Sequence, residues 1–284
     1  MDHLNYHHLR HFHYIAREGN LTRAAQKLNV AQSALSSQLR QLEERLGQPL
    51  FDRVGRGLEL TEAGRIALDH AERIFATGQD LMDTLLHGRA EDRPLRLGAI
   101  STLSRNFQLR FLAPVLGGAH AIALRSGNAA RLLGELQALT LDVVLTTEPP
   151  QGGFRAQLMA RHPVGLHGQP HHLGADLSRT LATAPLILPT ESSIRSGFEA
   201  LAARLGVTPR IVAEVDDMAM VRLLTRQGLG LAVAPEIVLA DEIASGRVTT
   251  APFDLGIEET FYAVTVPRSF PHPLLETLLD TSAS

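Results

Sequence analysis

The chain has 284 residues, more than one ordinary hydrophobic core accommodates, so its length predicts two or three domains. Hydrophobic residues make up 44% and charged residues 20%, which is typical of a globular protein, and no segment is apolar enough to cross a membrane. Cysteine is absent, which excludes disulfides and thiol-based sensing. The N-terminus lacks a charged-then-apolar signal pattern, so we expect a cytoplasmic protein.

The net charge of -3 does not favour nucleic acid as a partner, but the charge is unevenly distributed. Residues 1–60 carry eight basic and six acidic side chains, a small surplus that a dimer would double on one surface.

The first predicted elements are three helices. Residues 6–18 form the first, ended by Gly19. Residues 20–46 then read as two helices joined by a tight turn. In the earlier helix Ala24, Ala25 and Leu28 form a narrow apolar stripe that lets another helix cross it closely. In the later one the leucines at 35, 39, 42 and 46 form one core face.

The opposite face of the later helix is polar. Its side chains can bond base edges and phosphates, as those of a recognition helix in a DNA major groove do. The alternative is an ordinary helical hairpin whose polar face meets water. The predicted DNA contacts on this hairpin are Thr22, Arg23, Gln32, Ser33, Ser36, Ser37, Gln38 and Arg40.

Residues 49–60 alternate apolar and polar side chains around a Gly-x-Gly turn, which predicts a small β-hairpin. Arg53 and Arg56 fall at its tip. A winged helix-turn-helix lays such a hairpin over the phosphate backbone, where arginine contributes charge and a planar fork of donors.

The segment from Leu4 to Gly64 resembles the DNA-binding end of LysR-type transcriptional regulators. The matching residues are Phe12, Ala24-Ala25, Leu42-Glu43-Glu44-Arg45-Leu46-Gly47, Leu50-Phe51-x-Arg53 and Leu60-Thr61-x-Ala63-Gly64. Three further stretches resemble the branch that contains the activator of the sodium/proton antiporter gene: Asn5-Tyr6-x-His8-Leu9, Gly55-Arg56-Gly57-Leu58-Glu59 and Glu214-x-Asp216-Asp217.

The chain departs from the family pattern at the start of the recognition helix. Ala31 and Ser33 stand where the family usually has Ser or Thr and then Pro, and Ser37 stands where it often has Arg. The helix therefore loses its usual cap, and we expect Asn29 or Ser33 to bond the free amides instead.

Residues 61–88 are predicted to form a long linker helix, capped by Thr61 and followed by a polar hinge at 89–94. Its small and apolar residues recur at alternating spacings of four and three, which suits a helix that pairs with its twin. The alternative is a helix packed on its own domain. The resemblance implies dimerisation through this helix, and the predicted contacts are Ala67, Ala71, Ile74, Leu81 and Leu85.

Beyond the hinge, predicted strands alternate with predicted helices, which indicates parallel sheets covered by helices. The predicted strands are 95–100, 122–126, 141–145, 186–188, 211–215, 229–234 and 261–266. The predicted helices are 103–116, 128–138, 194–205, 218–226 and 235–245.

The resemblance implies that residues 95–284 form a two-lobed α/β effector-binding domain like that of periplasmic binding proteins. We expect the chain to cross between lobes near 161–167 and 263–268. Lobe I then comprises about 95–162 and 267–284, and lobe II about 163–266.

The ligand cleft is expected where strands end and helices begin, because free amides there point toward a bound group. The predicted effector contacts are Ser101, Thr102, Thr147, Ser192 and Ser193, unless these hydroxyls simply cap helices. Such a cleft favours an anionic or strongly polar ligand.

Asp216 and Asp217 precede a predicted helix. Capping that helix is the first interpretation, and a site for a hard cation is the alternative.

Three classes of function compete: a DNA-binding regulator, a free-standing small-molecule-binding protein and an enzyme. We recognise no motif in the sequence for a catalytic site, a phosphate-binding loop or a zinc site, and we predict no cofactor. A binding protein would leave residues 1–88 unexplained. Under the regulator hypothesis the expected partners are inverted-repeat promoter DNA, a small-molecule or ion effector, further copies of the chain in a dimer or tetramer, and RNA polymerase. We expect no association with a membrane.

Overall fold

The computed structural model describes residues 4–54, 57–86, 93–174, 176–190 and 193–280. The chain divides after Leu86 into two compact units. Within the described ranges no helix combines the length and apolar character needed to span a bilayer.

The first unit contains four helices and a hairpin in its described part. Its elements are α1 (Tyr6–Glu18), α2 (Leu21–Leu28), α3 (Gln32–Leu46), β1 (Phe51–Val54), β2 (Gly57–Leu60) and α4 (Glu62–Leu86). Asn5 and Asn20 cap α1 and α2 by accepting from backbone amides, and Gly19 ends α1 at φ 61°. Thr61 caps α4, as predicted: its hydroxyl accepts from the amide of Gly64 at 2.9 Å.

The core of the first unit joins α1, α3 and α4. Phe12, Leu35, Leu42 and Ala71 are fully buried in it. Gly64 allows α4 to approach the hairpin, because a Cβ at that position would lie 2.0 Å from the carbonyl oxygen of Leu50. These contacts fix the orientation of α3 within the unit.

The second unit alternates strands and helices. Its first elements are β3 (Leu95–Ile100), α5 (Arg105–Leu112), β4 (Ile122–Gly127), α6 (Ala129–Gln137), β5 (Val143–Thr146) and β6 (Arg155–Gly168). The middle elements are α7 (Leu177–Thr183), β7 (Pro185–Pro189), α8 (Ser193–Leu205), β8 (Arg210–Val215), α9 (Met218–Arg226) and β9 (Leu231–Pro235). The last are α10 (Ala240–Ala244), β10 (Thr249–Thr250), β11 (Glu258–Thr265) and α11 (Leu274–Asp280).

The strands form one connected sheet in the order β4-β3-β5-β11-β6-β9-β7-β8, with β10 beside β6. Pairing is parallel within β4-β3-β5 and within β9-β7-β8, as the alternation predicts. The two strands between these groups, β6 and β11, run antiparallel to each other. They connect two lobes, each built around its own core. The first lobe contains β4, β3 and β5, and the second contains β9, β7 and β8.

The chain crosses between the lobes along β6 and β11. In β6, Ala160 packs on the first core and Val164 lies in the second. The return comes earlier than the expected 263–268, because Ile257 belongs to the second core whereas Phe261 and Ala263 are buried in the first. The second lobe therefore ends near 257 rather than 266.

Several element bounds also differ from the prediction. The helix expected at 103–116 begins at Arg105 and tightens to a 3-10 turn at Ala113–Val115, where Pro114 stands. The segment expected as one helix at 235–245 is a 3-10 turn, Glu236–Leu239, followed by α10. The sequence predicted neither the full length of β6 nor the elements α7, β10 and α11.

Candidate nucleic-acid interface and ligand cleft

The start of α3 carries an exposed polar face. Gln32, Ser33, Ser37 and Arg40 are exposed there and Ser36 is half-buried. The hydroxyl of Thr22 donates to Oε1 of Gln32 at 3.2 Å, which links the starts of α2 and α3. The hairpin of α2 and α3 therefore presents the face that the sequence predicts as a DNA contact.

Gln38 does not belong to this face. Its Oε1 is hydrogen-bonded to Nδ1 of His11, a buried residue of α1. The sequence grouped Gln38 with the other polar residues, but its position on the helix turns it toward the interior. Burial lowers the pKa of His11, partly opposed by this hydrogen bond.

The predicted replacement cap of α3 is also wrong. Ala31 is the N-cap residue of α3, and in the described part of the chain no side chain caps this helix. Asn29 instead ends α2 in the left-handed region at φ 54°. The first amides of α3 are thus left to solvent or to a ligand such as a phosphate.

Three further residues were predicted to contact DNA. One of them is held by a hydrogen bond within the protein, and the side chains of the other two lie outside the described atoms. Arg23 donates through Nη2 to the backbone carbonyl of Glu18 at 2.6 Å. Arg53 lies in β1 opposite Leu58, and its side chain is outside the described atoms. Arg56 is outside the described residues.

The linker helix α4 uses the two halves of its predicted seam differently. Ala71 is fully buried in the core of the first unit, and Ala67 and Ile74 pack against that core. Leu81 and Leu85 are 56% and 68% exposed. Ala67, Ala71 and Ile74 therefore close their own domain, and the exposed Leu81 and Leu85 stay predicted dimer contacts.

A cavity of about 820 Å³ lies between the two lobes of the second unit. Ser101 and Thr102 follow β3 and Thr147 follows β5 on the first lobe, and Ser193 begins α8 on the second. The structure thus brings four of the five predicted effector contacts together, and Ser192 lies outside the described residues. Ser101 and Thr102 do not open α5, because Ser104 caps it.

Sequence reasoning missed part of this lining. Asn128 caps α6 by accepting from the amide of Arg131, and Arg195 projects from α8. Asn128 directly follows β4, and Arg195 lies two residues after Ser193 in α8. A polar residue just before a helix was the available signal for Asn128.

Acidic groups surround the one arginine that lines the described cleft. Nε of Arg195 donates to Glu199 at 2.5 Å, and Nη1 donates to Glu214 at 2.7 Å. These bonds raise the pKa of Arg195. Glu148 and Asp216 add two exposed carboxylates to the lining.

Asp217 is a helix cap, as the first interpretation held. Asp217 is the N-cap residue of α9, and its Oδ1 accepts from the amide of Ala219 at 2.7 Å. Among the described residues no group of three or more potential metal-ligating side chains was found. The cap accounts for Asp217, and a cation site formed by Asp216 and Asp217 stays a prediction.

A winged helix-turn-helix and a separate two-lobed α/β unit with a polar cleft are the parts expected of a ligand-responsive DNA-binding regulator. The model of the bacterial regulatory helix-turn-helix protein, lysR family, matches residues 6–65, and that of the LysR substrate binding domain matches residues 88–284. The chain therefore belongs to the LysR family of transcriptional regulators, and not to a family of enzymes.

Three similar proteins illustrate this relationship. The transcriptional activator protein NhaR of Escherichia coli is 25% identical, over 100% of this chain and 97% of that protein. The regulator CbbR of Rhodospirillum rubrum is 29% identical, over 94% of this chain and 92% of that protein. The crystal structure of full-length CbnR complexed with its target DNA has a TM-score of 0.71 at 22% identity, and the match covers 99% of this chain and 100% of that chain.

Proposed function

We propose that this regulator binds an inverted-repeat promoter site as a homodimer and that a small polar effector in the cleft between its lobes controls transcription. The observation that carries the proposal is the cavity of about 820 Å³ lined by hydroxyls from both lobes. A ligand that touches both lobes binds their closed arrangement more tightly, so it shifts the population toward that arrangement. In this account the protein acts in the cytoplasm, where its promoter and RNA polymerase are.

The charges of the cleft refine the effector class. Glu148 and Asp216 are exposed to the cavity, and Arg195 already binds two carboxylates. A simple anion would meet this acidic lining unfavourably. We therefore propose a polar effector that carries hydrogen-bond donors, rather than the anion favoured by the hydroxyls alone.

The direction of regulation is proposed as activation. Support comes from the similarity to NhaR, whose name describes a transcriptional activator, over the whole of this chain. The resemblance of the sequence to that branch makes a cation/proton antiporter gene the first target to examine.

The test starts from a genomic footprint of the full-length protein, which supplies the cognate duplex. Fluorescence anisotropy then compares this duplex with a random one at the same salt concentration. We expect Gln32→Ala to weaken only cognate binding, and Arg53→Ala and Arg56→Ala to weaken both duplexes and flatten the salt dependence. Equal affinity of the unmodified protein for both duplexes would contradict the proposed function.

A further inference from the structure

The cleft between the lobes has one carboxylate on each of its two walls. Glu148 follows β5 in the first lobe, and Asp216 follows β8 in the second. Both residues line the cavity and are exposed, and in the described part of the chain neither side chain forms an ion pair. A ligand that enters the cleft therefore meets a negative charge from each lobe.

The backbone that carries Glu148 is fixed by hydrogen bonds. The hydroxyl of Thr146 donates to the carbonyl of Glu148 at 2.8 Å. Thr260 of β11 donates through its hydroxyl to the carbonyl of Thr147 at 3.0 Å. Prolines follow at 149 and 150, and the ring of each restricts φ. The carboxylate of Glu148 is thus presented from a rigid turn.

The backbone around Asp216 is also fixed. The carbonyl of the preceding Val215 accepts from the amide of Thr190 at 3.0 Å, and the following Asp217 is the N-cap residue of α9. The carboxylate of Asp217 is engaged twice, by the amide of Ala219 and by Arg105 of the first lobe. The carboxylate of Asp216 has neither of these roles and remains exposed to a ligand.

The arginine of the cleft does not offset these two charges, because Arg195 already binds Glu199 and Glu214. When the lobes close, Glu148 and Asp216 approach each other in a space that holds less water, where like charges repel more strongly. A cation between the two carboxylates turns this repulsion into attraction. The charge of the ligand therefore decides whether closure is favourable.

We propose that the effector is a linear diamine, whose two ammonium groups pair with Glu148 of the first lobe and Asp216 of the second. This inference rests on the proposed function, since it names the effector class of the same cleft. Such a ligand binds both lobes only in their closed arrangement, and it shifts the population toward that arrangement.

The rest of the lining fits a diamine. Each ammonium has three donors, and the hydroxyls of Thr147 and Ser193, one from each lobe, can accept those left over by the carboxylates. Ile100 and Leu133 give the methylene chain an apolar surface. The cavity of about 820 Å³ is far larger than a metal ion and within the range of small-molecule pockets. A basic amino acid would add a carboxylate, whereas Arg195 already binds two.

The test is isothermal titration calorimetry of the full-length protein at constant ionic strength. The probes are the α,ω-diamines with three to six methylenes, each compared with the monoamine of the same length, and L-lysine. We expect the best diamine to bind at least about tenfold more tightly than its monoamine and than L-lysine. Because both carboxylates are held on fixed backbone, the affinity should depend on the length of the diamine.

Variants locate the two charges. Glu148→Gln and Asp216→Asn should each raise the Kd of the best diamine at least about tenfold, to that of its monoamine, because one ammonium loses its partner. Glu276→Gln is the matched control, since Glu276 is an exposed acidic residue of α11 outside the cleft. It should leave the Kd unchanged.

Three results would overturn the proposal. One is the absence of binding by every diamine of the series up to about 10 mM, a concentration at which even a weak specific site fills. The second is a Kd for L-lysine or for a monoamine that equals or is lower than that of the best diamine. The third is an unchanged Kd in both Glu148→Gln and Asp216→Asn.

DNA binding by the same preparation separates this inference from the proposed function. If the protein prefers the cognate duplex but binds no diamine, only the effector class is wrong. If it binds the cognate and the random duplex equally, the proposed function itself is contradicted.

Discussion

Nη2 of Arg105 lies 3.6 Å from Oδ2 of Asp217, and this ion pair connects the two lobes. Arg105 begins α5 in the first lobe and Asp217 caps α9 in the second. Beside it the carbonyl of Ser101 accepts from the amide of Met218 at 3.5 Å. Both charged side chains are more than a third exposed, so solvent screens the pair and its contribution is at most about 1 kcal/mol. A bound effector can therefore readily alter the balance between lobe arrangements.

The first prediction concerns Asp217. The change Asp217→Asn removes the ion pair but keeps an oxygen that can cap α9, so we expect the effector dose-response to shift less than about fivefold. Asp217→Ala is the control for the cap and should lower the free energy of unfolding by about 1 kcal/mol. Reporter titration and urea unfolding measure the two effects. Complete loss of response in Asp217→Asn would instead favour the cation site.

The second prediction concerns the exposed half of α4. Leu81→Glu with Leu85→Glu should yield monomers that bind DNA weakly, because a single half-site loses the avidity of two. Ile66→Glu is a matched control, since Ile66 is 57% exposed on the same helix and lies outside the seam. Sedimentation decides: a dimer that survives the double change means that α4 does not supply the main contact.

The third prediction separates Gln32 from Gln38. Gln32→Ala should cost about 1–3 kcal/mol in cognate DNA binding. Gln38→Ala removes the partner of a buried histidine, so it should lower the free energy of unfolding by about 1–3 kcal/mol and leave the ratio of cognate to random affinity unchanged. Urea unfolding and anisotropy on both variants measure these outcomes. A specificity loss in Gln38→Ala equal to that in Gln32→Ala would contradict the assignment.

The fourth prediction concerns Glu259 on the crossing strand β11. Its side chain is fully buried, and neither carboxyl oxygen has a hydrogen-bond partner within the described structure. Burial raises the pKa of Glu259 to about 8. The unfolded carboxyl loses its proton above its ordinary pKa of 4.5, whereas the folded one keeps it until about pH 8. The free energy of unfolding therefore falls as pH rises between these values.

Glu259→Gln should remove this pH dependence. We expect the variant to be more stable than the unmodified protein above about pH 5, with the difference reaching a few kcal/mol by about pH 8. Glu258→Gln is the control, because the neighbouring Glu258 is exposed. Urea unfolding across this pH range provides the measurement. Parallel stability profiles for Glu259→Gln and the unmodified protein would show that the buried carboxyl does not titrate as described.

The helices with local signals were predictable from the sequence. The bounds of α1 follow from Asn5 at its start and Gly19 at its end, and the prediction of 218–226 agrees with α9. The family membership and the two-part architecture followed from ordered motifs within residues 4–64 and from the strand–helix alternation. These features depend on residues that are close in sequence.

The misplaced features depend on distant partners. Periodicity along α4 marks an apolar face but does not tell whether Ala71 and Ile74 meet their own domain or a twin. In the sequence Gln38 is indistinguishable from the polar residues around it, and only the structure shows its hydrogen bond to His11. The early residues of β6 are exposed and Pro163 interrupts its pattern, so only the buried crossing segment was recognisable.

The central claim is that an effector in the cleft between the lobes controls transcription. Its most direct test is reporter transcription from the footprinted promoter, titrated with a panel of polar metabolites. The assay compares the unmodified protein with Ser101→Ala and Thr147→Val. We expect one metabolite to change transcription through the unmodified protein, and both variants to need a higher concentration of it while binding the promoter equally well without it. A response to that metabolite that is identical in all three proteins would contradict control through the cleft.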